Sequence, residues 1–270
     1  MSAPRITVVG SVNLDLVARV ERLPRAGETV TDATFARVRG GKGANQAVAC
    51  ARLGAEVTLV CSVGTDVFAD EALPQEERLV LAAQRVEAPT GVALILVDAA
   101  GENQIAVAPG ANAELREFEL PAHDAVLAQL EIPDEAVRRA WEHATGLFCL
   151  NAAPARPVDV DADITVVNRF ELEALRRRDG LVAVTLGAEG AILVEDGDEV
   201  TRAEPPRVEA VDGTAAGDAF TACLLVAWLE GREPEEALRR ACAAGALAAS
   251  RFGAQPSLPT AAEVEGILGP

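Results

Sequence analysis

The sequence predicts an α/β fold. Short, continuous apolar runs, beginning with residues 6–9, alternate with longer segments of helical pattern, as in proteins whose helices cover a mainly parallel sheet. The β-branched character of residues 6–9 suits a strand that is buried on both faces. With 270 residues, of which 50% are hydrophobic, the chain can fill the core of one large domain.

Composition argues against several classes of function. The net charge of −18, from 42 acidic and 24 basic residues, disfavours nucleic acids and acidic membranes as partners, because both are bound through basic patches. The five cysteines form no Cys-x-x-Cys pair and lie mostly in apolar runs, which predicts buried, reduced thiols. Two histidines offer little for a zinc site. Without a recognisable signal peptide or membrane-length apolar run, we expect a cytoplasmic protein.

The first strand leads directly into two polar side chains, Asn13 and Asp15. Loops at the carboxyl ends of parallel strands are where α/β folds bind ligands, so both are placed to hydrogen-bond a polyhydroxyl compound. Asn and Asp are also ordinary turn residues, and for these two alone that is the simpler interpretation. Residues 16–20 and 28–38 then predict strands of a small antiparallel element, interrupted by Pro24 and Gly27.

A glycine-rich turn at residues 40–43 opens a helix that we expect to run to about Leu53. Lys42, in this turn, is the only lysine of the chain, since the other 23 basic residues are arginines. A compact ammonium group flanked by glycines, which let a ligand approach, indicates that this position specifically requires a lysine. The spacing does not match a P-loop.

A second glycine-containing turn leads into a strongly apolar helix predicted over residues 215–229. The start of a helix holds an anion through unpaired N–H groups, and the small residues Ala215, Ala216 and Gly217 let an anion approach. Asp218 is placed beside them as a general base for a hydroxyl. The alternative is an acidic residue that only favours the helix dipole, with small residues that serve packing.

These two stretches, residues 40–45 and 211–218, resemble the two signatures of the ribokinase family of carbohydrate kinases, in the same order. The resemblance continues through residues 90–95, 110–112, 129–133, 150–155, 185–190 and 253–257. It implies a three-layer α/β/α sandwich around a mainly parallel central sheet. It also implies a single domain over residues 1–270, with a small β-sheet lid contributed by about residues 12–39 and 90–109.

The resemblance implies ATP-dependent transfer of the γ-phosphate to the primary hydroxyl of a small sugar, with D-ribose as the first candidate. Asp218 would be the base, and the N–H groups of Ala215, Ala216 and Gly217 would form an anion hole for the phosphoryl group. The residues implied to hold the sugar are Asn13, Asp15, Gly41, Lys42, Asn45, Glu131 and Asp218.

The resemblance also implies a set of cofactor sites. For ATP the matching residues are Asn168, Thr185, Gly187 and Cys242, and Glu171 would act indirectly on Mg²⁺. For a monovalent cation, K⁺, they are Asp212, Thr214, Ala248, Arg251, Gly253 and Ser257. Two of these residues also have a purely structural interpretation. Glu171 could be an exposed helix residue, and Asp212 could be an exposed turn residue. Family members pair through their lids, so a homodimer is expected.

Two regions depart from the family pattern. The chain is short between Ala155 and Leu181, which predicts that one helical cover of the sheet is missing. Pro74 interrupts the helix expected within residues 65–87, where Ala69 also replaces a common glycine. Two alternative functions stay open: a kinase for a nucleoside, fructose or related sugar, and a sugar-binding protein that has lost catalysis. The absence of tyrosine and the scarcity of aromatic residues disfavour a nucleoside pocket.

Overall fold

The computed structural model describes residues 2–175 and 180–269. The strands are β1 (Arg5–Val9), β2 (Asn13–Arg19), β3 (Thr34–Gly40), β4 (Glu56–Val63), β5 (Leu79–Arg85), β6 (Gly91–Val97), β7 (Asn103–Ala108), β8 (Ala125–Gln129), β9 (Leu147–Asn151), β10 (Ile164–Asn168), β11 (Leu181–Thr185), β12 (Ala191–Glu195) and β13 (Asp198–Ala203). The α-helices are α1 (Lys42–Arg52), α2 (Ala69–Ala72), α3 (Asp134–Glu142), α4 (Arg169–Ala174), α5 (Ala216–Leu229), α6 (Pro234–Ala249) and α7 (Ala261–Leu268).

The central sheet has nine strands in the order β13-β12-β11-β10-β9-β8-β1-β4-β5. The strands from β11 to β5 in this order pair in parallel, and β12 and β13 are added antiparallel at one edge. Strand β1 lies inside the sheet, and Ile6 and Val8 point to one core while Val9 points to the other. This confirms the predicted mainly parallel sheet.

Helices cover both faces of this sheet. Helices α1, α5, α6 and α7 contribute to one apolar core, and α3 and α4 contribute to the other. Helix α5 is buried from Asp218 to Ala227, as its almost uniformly apolar sequence predicts. The three-layer arrangement is therefore confirmed. No helix among residues 2–175 and 180–269 combines the length and the apolar character needed to cross a membrane.

A separate four-stranded sheet has the order β3-β2-β6-β7. The predicted small β-sheet is therefore present, but its strand bounds differ from those expected. Strand β2 begins at Asn13, because Asn13 pairs with both Gly40 and Gly91. Strand β3 begins only at Thr34, which pairs with Arg19 at the end of β2, so residues 28–33 lie outside the strands. The β2–β6 pairing is parallel, so the small sheet is mixed rather than purely antiparallel.

Both predicted departures are visible in the structure. Strands β9 and β10 are parallel neighbours, and residues 152–163 join them without a helix. The predicted loss of a helical cover is thus confirmed for this connection, while residues 176–179 of the same region lie outside the described residues. Helix α2 ends at Ala72, two residues before Pro74, since the residue before a proline disfavours helical geometry. The chain then continues as the edge strand β5.

Candidate active site

The glycine-rich turn packs its backbone against the loop that follows β1. A Cβ on Gly43 would lie 2.5 Å from the carbonyl carbon of Gly10, and a Cβ on Gly41 would lie 2.8 Å from the amide nitrogen of Asn13. Gly41 also has a φ of +88°, which disfavours any other residue. The glycines therefore allow the start of α1 to pack against the loop after β1. This packing is a second reason for glycine here, in addition to the ligand approach expected from the sequence.

Glu131, just beyond β8, ties these two segments together. Its Oε2 atom accepts a hydrogen bond of 2.5 Å from the Ser11 hydroxyl and one of 3.0 Å from the Lys42 backbone N–H. The Ser11 Oγ atom also accepts from the Gly43 N–H at 3.3 Å. Ser11 is fully buried, and nothing in the sequence pattern singled it out as a site residue. Glu131 is thus held at the first turn of α1.

Asn13 is positioned by Asn112, which lies in the short 3₁₀-helix after β7. The Asn112 side chain donates to Asn13 Oδ1 at 2.8 Å and to the Val12 carbonyl at 3.1 Å, and it accepts from the Val12 N–H at 2.9 Å. Both asparagines are almost completely buried. Asn112 is a second residue with a positioning role that the sequence did not reveal.

Asp15 lies on β2, two residues after Asn13, and is 7% exposed. Burial, together with the nearby carboxylates of Glu131 and Asp218, raises the pKa of Asp15 to about 7. Asp15 therefore holds its proton more firmly than an exposed aspartate does. The carboxylates of Glu131 and Asp218 are therefore near enough to Asp15 to disfavour its ionised form.

The Lys42 ammonium group lies among these acids. Burial works to lower the pKa of Lys42, but the carboxylates of Asp218, Glu131 and Glu171 outweigh burial, and the pKa is raised. Lys42 consequently stays charged at neutral pH and offsets part of the negative charge. The structure thus brings together the side chains predicted from the sequence to hold a sugar.

Asp218 occupies the first turn of α5. Its Oδ2 atom accepts from Asn45 Nδ2 at 3.0 Å, and its Oδ1 atom accepts from Gln46 Nε2 at 2.8 Å. The Oδ1 atom of Asn45 is buried and has no hydrogen-bond partner among the described residues. Because each carboxylate oxygen has about two lone-pair positions, Asp218 can still accept a further hydrogen bond.

The anion hole was predicted at the entry to α5, from the N–H groups of Ala215, Ala216 and Gly217, and one of these three already has a partner. Ala215 has a φ of +61°, an unfavourable value for a residue with a Cβ, and it precedes the helix. The Ala216 N–H lies 3.3 Å from the Gly213 carbonyl, whereas the N–H groups of Gly217 and Asp218 have no partner among the described residues. A Cβ on Gly217 would meet nothing within 4 Å, and Gly217 is exposed, so the start of the helix is open at this residue. The helix start can therefore accept an anion.

The residues predicted for ATP and Mg²⁺ have defined local roles. Asn168 and Glu171 form a capping box on α4, in which the Asn168 side chain accepts from the Glu171 N–H and the Glu171 carboxylate accepts from the Asn168 N–H. Thr185 is the last residue of β11, and the exposed Gly187 follows this strand. Cys242 is buried, and its thiol lies 3.6 Å from the Ala203 carbonyl.

Two of the predicted cation-binding residues, Thr214 and Gly253, are hydrogen-bonded to Asp212. Its Oδ1 atom accepts from the N–H and hydroxyl of Thr214 at 2.9 and 2.6 Å, and its Oδ2 atom accepts from the Gly253 N–H at 2.9 Å. Burial works to raise the pKa of Asp212, but these hydrogen bonds outweigh it and the pKa is lowered. The buried Ser257 bonds to the Ala254 carbonyl. Among the other predicted members, Ala248 is buried and Arg251 pairs with Glu263.

Comparisons with known proteins identify the family of the chain. The family model described as pfkB family carbohydrate kinase matches residues 3–143 and 160–261, and the unmatched residues include the start of the helix-free connection. Bacillus subtilis ribokinase is 38% identical over 291 aligned residues, which cover 97% of this chain and 99% of that protein.

Two solved structures share the fold over nearly their full length. Thermotoga maritima ribokinase gives a TM-score of 0.83 at 34% identity, with coverage of 98% of this chain and 99% of that one. Arabidopsis thaliana ribokinase complexed with ribose and ATP gives a TM-score of 0.82 at 30% identity, with the same coverage. The chain belongs to the pfkB family of carbohydrate kinases, which are phosphotransferases with an alcohol group as acceptor.

Proposed function

We propose that this kinase transfers the γ-phosphate of ATP to the 5-hydroxyl of D-ribose and releases D-ribose 5-phosphate and ADP. The observation that carries the proposal is the position of Asp218, at the start of α5 and hydrogen-bonded to Asn45 from the turn that carries Lys42. The similarity to ribokinases over nearly the whole chain supports ribose as the acceptor.

The sugar is held by side chains that the fold brings to one place. Asn13, Asp15, Asn45 and Glu131 supply acceptors and donors for the hydroxyl groups, and Lys42 supplies a charged donor. Asn13, Asp15 and Asn45 are buried, so they are already held in place before a sugar binds. The unpartnered Oδ1 atom of Asn45 is an acceptor that a sugar hydroxyl would satisfy.

Asp218 is the base in this proposal. It takes the proton from the 5-hydroxyl as that oxygen forms a bond to the γ-phosphorus, and the bond between this phosphorus and the bridging oxygen of ADP breaks. The N–H groups at the start of α5, from residues 215 to 217, stabilise the negative charge on the phosphoryl oxygens. Such donors are effective because they are fixed in place before the reaction begins.

The residues present fit ATP and its metal ions. Gly217 faces open space at the start of α5, which gives a phosphate room to approach the backbone. Asn168, Thr185, Gly187 and Cys242 are proposed to bind the nucleotide. The described residues hold no group of three metal-ligating side chains. That suits Mg²⁺ carried mainly by phosphate and water, with Glu171 acting indirectly, and Mg²⁺ supplies charge neutralisation on the phosphates.

A monovalent cation, K⁺, is proposed to bind in the loops that Asp212 holds together. The carboxylate joins residue 214 to residue 253, so a cation there would meet backbone carbonyls in a fixed arrangement. The proposed ligand set remains Asp212, Thr214, Ala248, Arg251, Gly253 and Ser257.

We further propose a homodimer formed through the small sheet. Large apolar side chains on its strands are exposed, and burying them against a second copy would be favourable: Phe35, Leu94, Ile105 and Val107. Sedimentation equilibrium of the purified protein tests the dimer, and a monomer at all accessible concentrations would contradict it.

The five cysteines are free and buried, which supports a reducing compartment such as the cytoplasm.

A coupled ADP-release assay tests the activity. D-Ribose, 2-deoxyribose, fructose and adenosine are compared as acceptors, with Mg²⁺ and with either K⁺ or Na⁺. We expect D-ribose to give the highest kcat/KM and the Asp218→Asn variant to lose turnover while its ribose affinity stays within about threefold, because a base acts in the transition state. A higher kcat/KM with another acceptor would support the alternative of a kinase for a nucleoside, fructose or related sugar. Ribose binding by calorimetry without any ADP would indicate a sugar-binding protein.

A further inference from the structure

Three buried side-chain amides lie behind the Asp218 carboxylate. Gln46 comes from α1, Gln129 from the end of β8 and Asn151 from the end of β9. Gln46 and Gln129 are 0% exposed and Asn151 is 6% exposed. None of them belongs to the proposed sugar or nucleotide contacts. A buried polar network of this kind needs a reason, because each of its groups has been removed from water.

The hydrogen bonds of this network converge on the carboxylate. Gln46 Nε2 donates to Asp218 Oδ1 at 2.8 Å and to Asn151 Oδ1 at 2.9 Å. Gln46 Oε1 accepts from Gln129 Nε2 at 2.7 Å. Every polar atom of the Gln46 amide is therefore occupied, and Gln46 joins the proposed base to two neighbouring strands of the central sheet.

Elementary donor and acceptor rules fix the direction of the network. An ionised carboxylate only accepts, so the nitrogen end of the Gln46 amide must face Asp218. At the other side, Asn151 Nδ2 donates to the Val166 carbonyl at 3.1 Å, which leaves Asn151 Oδ1 facing Gln46 Nε2. The oxygen end of Gln46 then needs a donor, and Gln129 Nε2 provides it.

This arrangement leaves one buried acceptor without a partner. Gln129 Oε1 has no hydrogen bond to any described residue. Rotating the Gln129 amide by half a turn would bring its oxygen to Gln46 Oε1, and two acceptors would then oppose each other. The observed orientation thus keeps the donor on Gln46 at the expense of an unsatisfied oxygen. A site that retains an unsatisfied buried atom invites a functional explanation.

We propose that Gln46 is a positioning residue for the Asp218 carboxylate, and that Gln129 and Asn151 fix the orientation of the Gln46 amide. The bonds from Gln46 and Asn45 hold one oxygen each, which restricts rotation of the carboxylate and directs its remaining lone pairs. This inference rests on the proposed function, in which Asp218 removes the proton from the acceptor hydroxyl. Gln46 itself does not touch the sugar or the phosphate in this scheme.

The test is a double-mutant cycle in the coupled ADP-release assay, with D-ribose, ATP and Mg²⁺. Gln46→Met keeps the length of the side chain and removes its donors, and Gln46→Glu keeps the shape but cannot donate when ionised. We expect each to lower kcat by about 10- to 100-fold, since small displacements of a reacting group have effects of this size. The KM for ribose should stay within about threefold of the parent value, because Gln46 is not a sugar contact.

Gln129→Met probes the orientation of the Gln46 amide. It should lower kcat in the parent enzyme, yet change it by less than about twofold in the Gln46→Met background, because Gln129 acts only through Gln46. Ser62→Ala is the matched control, since Ser62 is a fully buried polar residue outside the network whose hydroxyl has no partner among the described residues. Its kcat should equal that of the parent.

Some outcomes would overturn the proposal. Unchanged kcat in Gln46→Met and Gln46→Glu, with Asp218→Asn inactive, would overturn the positioning role and leave the base assignment intact. The proposal would also be overturned if the fold losses in kcat of Gln46→Met and Gln129→Met multiplied in the double variant. An active Asp218→Asn enzyme would overturn the base assignment together with this inference. Ribose calorimetry on each variant shows that the sugar site is still formed and so excludes misfolding as the cause.

Discussion

The carboxylate of Asp15 lies directly over the Cα atom of Gly40. These residues belong to adjacent strands of the small sheet, and a Cβ on Gly40 would be 2.3 Å from Asp15 Oδ2 and 2.4 Å from Asp15 Oδ1. Such distances are far inside van der Waals contact, so no residue other than glycine leaves the Asp15 side chain where it is. The glycine therefore sets the position of a proposed sugar ligand without touching the sugar.

Gly40→Ala is accordingly expected to weaken sugar binding. The added methyl group must displace the Asp15 carboxylate, and we expect the dissociation constant for D-ribose to rise by about 10-fold or more, the loss of one hydrogen bond to a charged group. Calorimetric titration with ribose measures the change. Gly266→Ala is the control, because a Cβ there meets nothing within 4 Å. Unchanged ribose affinity in Gly40→Ala would contradict the proposed role of Asp15.

The raised pKa of Asp15 makes the stability of the protein depend on pH. The folded-state pKa of about 7 lies above the ordinary value of 3.8, so the folded protein binds the proton more tightly than the unfolded chain. The free energy of unfolding should therefore decrease as the pH rises from about 4 to 7, and about 3 kcal/mol of the contribution from this group should be lost between pH 5 and pH 8. Urea denaturation at pH 5 and pH 8 measures the difference.

The Asp15→Asn variant removes this contribution. Its free energy of unfolding should vary less between pH 5 and pH 8 than that of the parent, and it should exceed the parent value at pH 8. Asp159→Asn removes the same charge at an exposed position and should keep the parent dependence. A parallel pH dependence in Asp15→Asn and the parent would show that Asp15 is not the responsible group.

The sequence was sufficient to single out the residues that are proposed to carry the chemistry. Lys42 and Asp218 stand beside small residues at the starts of helices, and this local pattern is visible without a structure. The mainly parallel sheet followed in the same way from the alternation of apolar runs and helical segments. The resemblance of the chain to a known family then supplied the three-layer arrangement and the small sheet, whereas the number and order of the strands were not predicted.

The positioning residues could not be predicted in this way. Ser11 reaches Glu131 across 120 residues, and Asn112 reaches Val12 across 100 residues. Neither pair leaves a periodic or local signal, because the contact exists only after β1, β8 and the small sheet have assembled. The bounds of β2 and β3 escaped prediction for a related reason. They depend on strand pairing with Gly40 and Gly91 rather than on the propensity of the strands themselves.

Replacement of Asn112 should affect both stability and sugar binding. Asn112→Ala leaves the buried Val12 N–H and Asn13 Oδ1 without their partner, which should lower the free energy of unfolding by about 2–3 kcal/mol. Asn13 also loses its orientation, so the KM for ribose should rise. Asn103→Ala is the control, since Asn103 is an exposed asparagine on β7. Denaturation with urea and steady-state kinetics distinguish the two effects, and parent-like values in both would contradict the assignment.

The high negative charge should make the protein more stable in salt. The formal net charge is −18, and repulsion within such a chain is screened as the Debye length falls from about 30 Å at 0.01 M to about 3 Å at 1 M salt. Salt also weakens ion pairs such as Arg5–Asp124, but exposed pairs like this one contribute only about 0–1 kcal/mol each. The screened repulsion should therefore dominate, and Tm should rise with salt.

Thermal denaturation in KCl, NaCl and choline chloride at equal concentrations checks this expectation and separates it from cation binding. Screening of the net charge depends on ionic strength, so the three salts should raise Tm by similar amounts. A cation held in the loops around Asp212 would instead add an increment that only K⁺ provides, and that increment should saturate as the site fills. The Asp212→Asn variant should lose this increment while keeping the common rise. A Tm that falls in all three salts would show that ion pairs, rather than net repulsion, govern the stability of this protein.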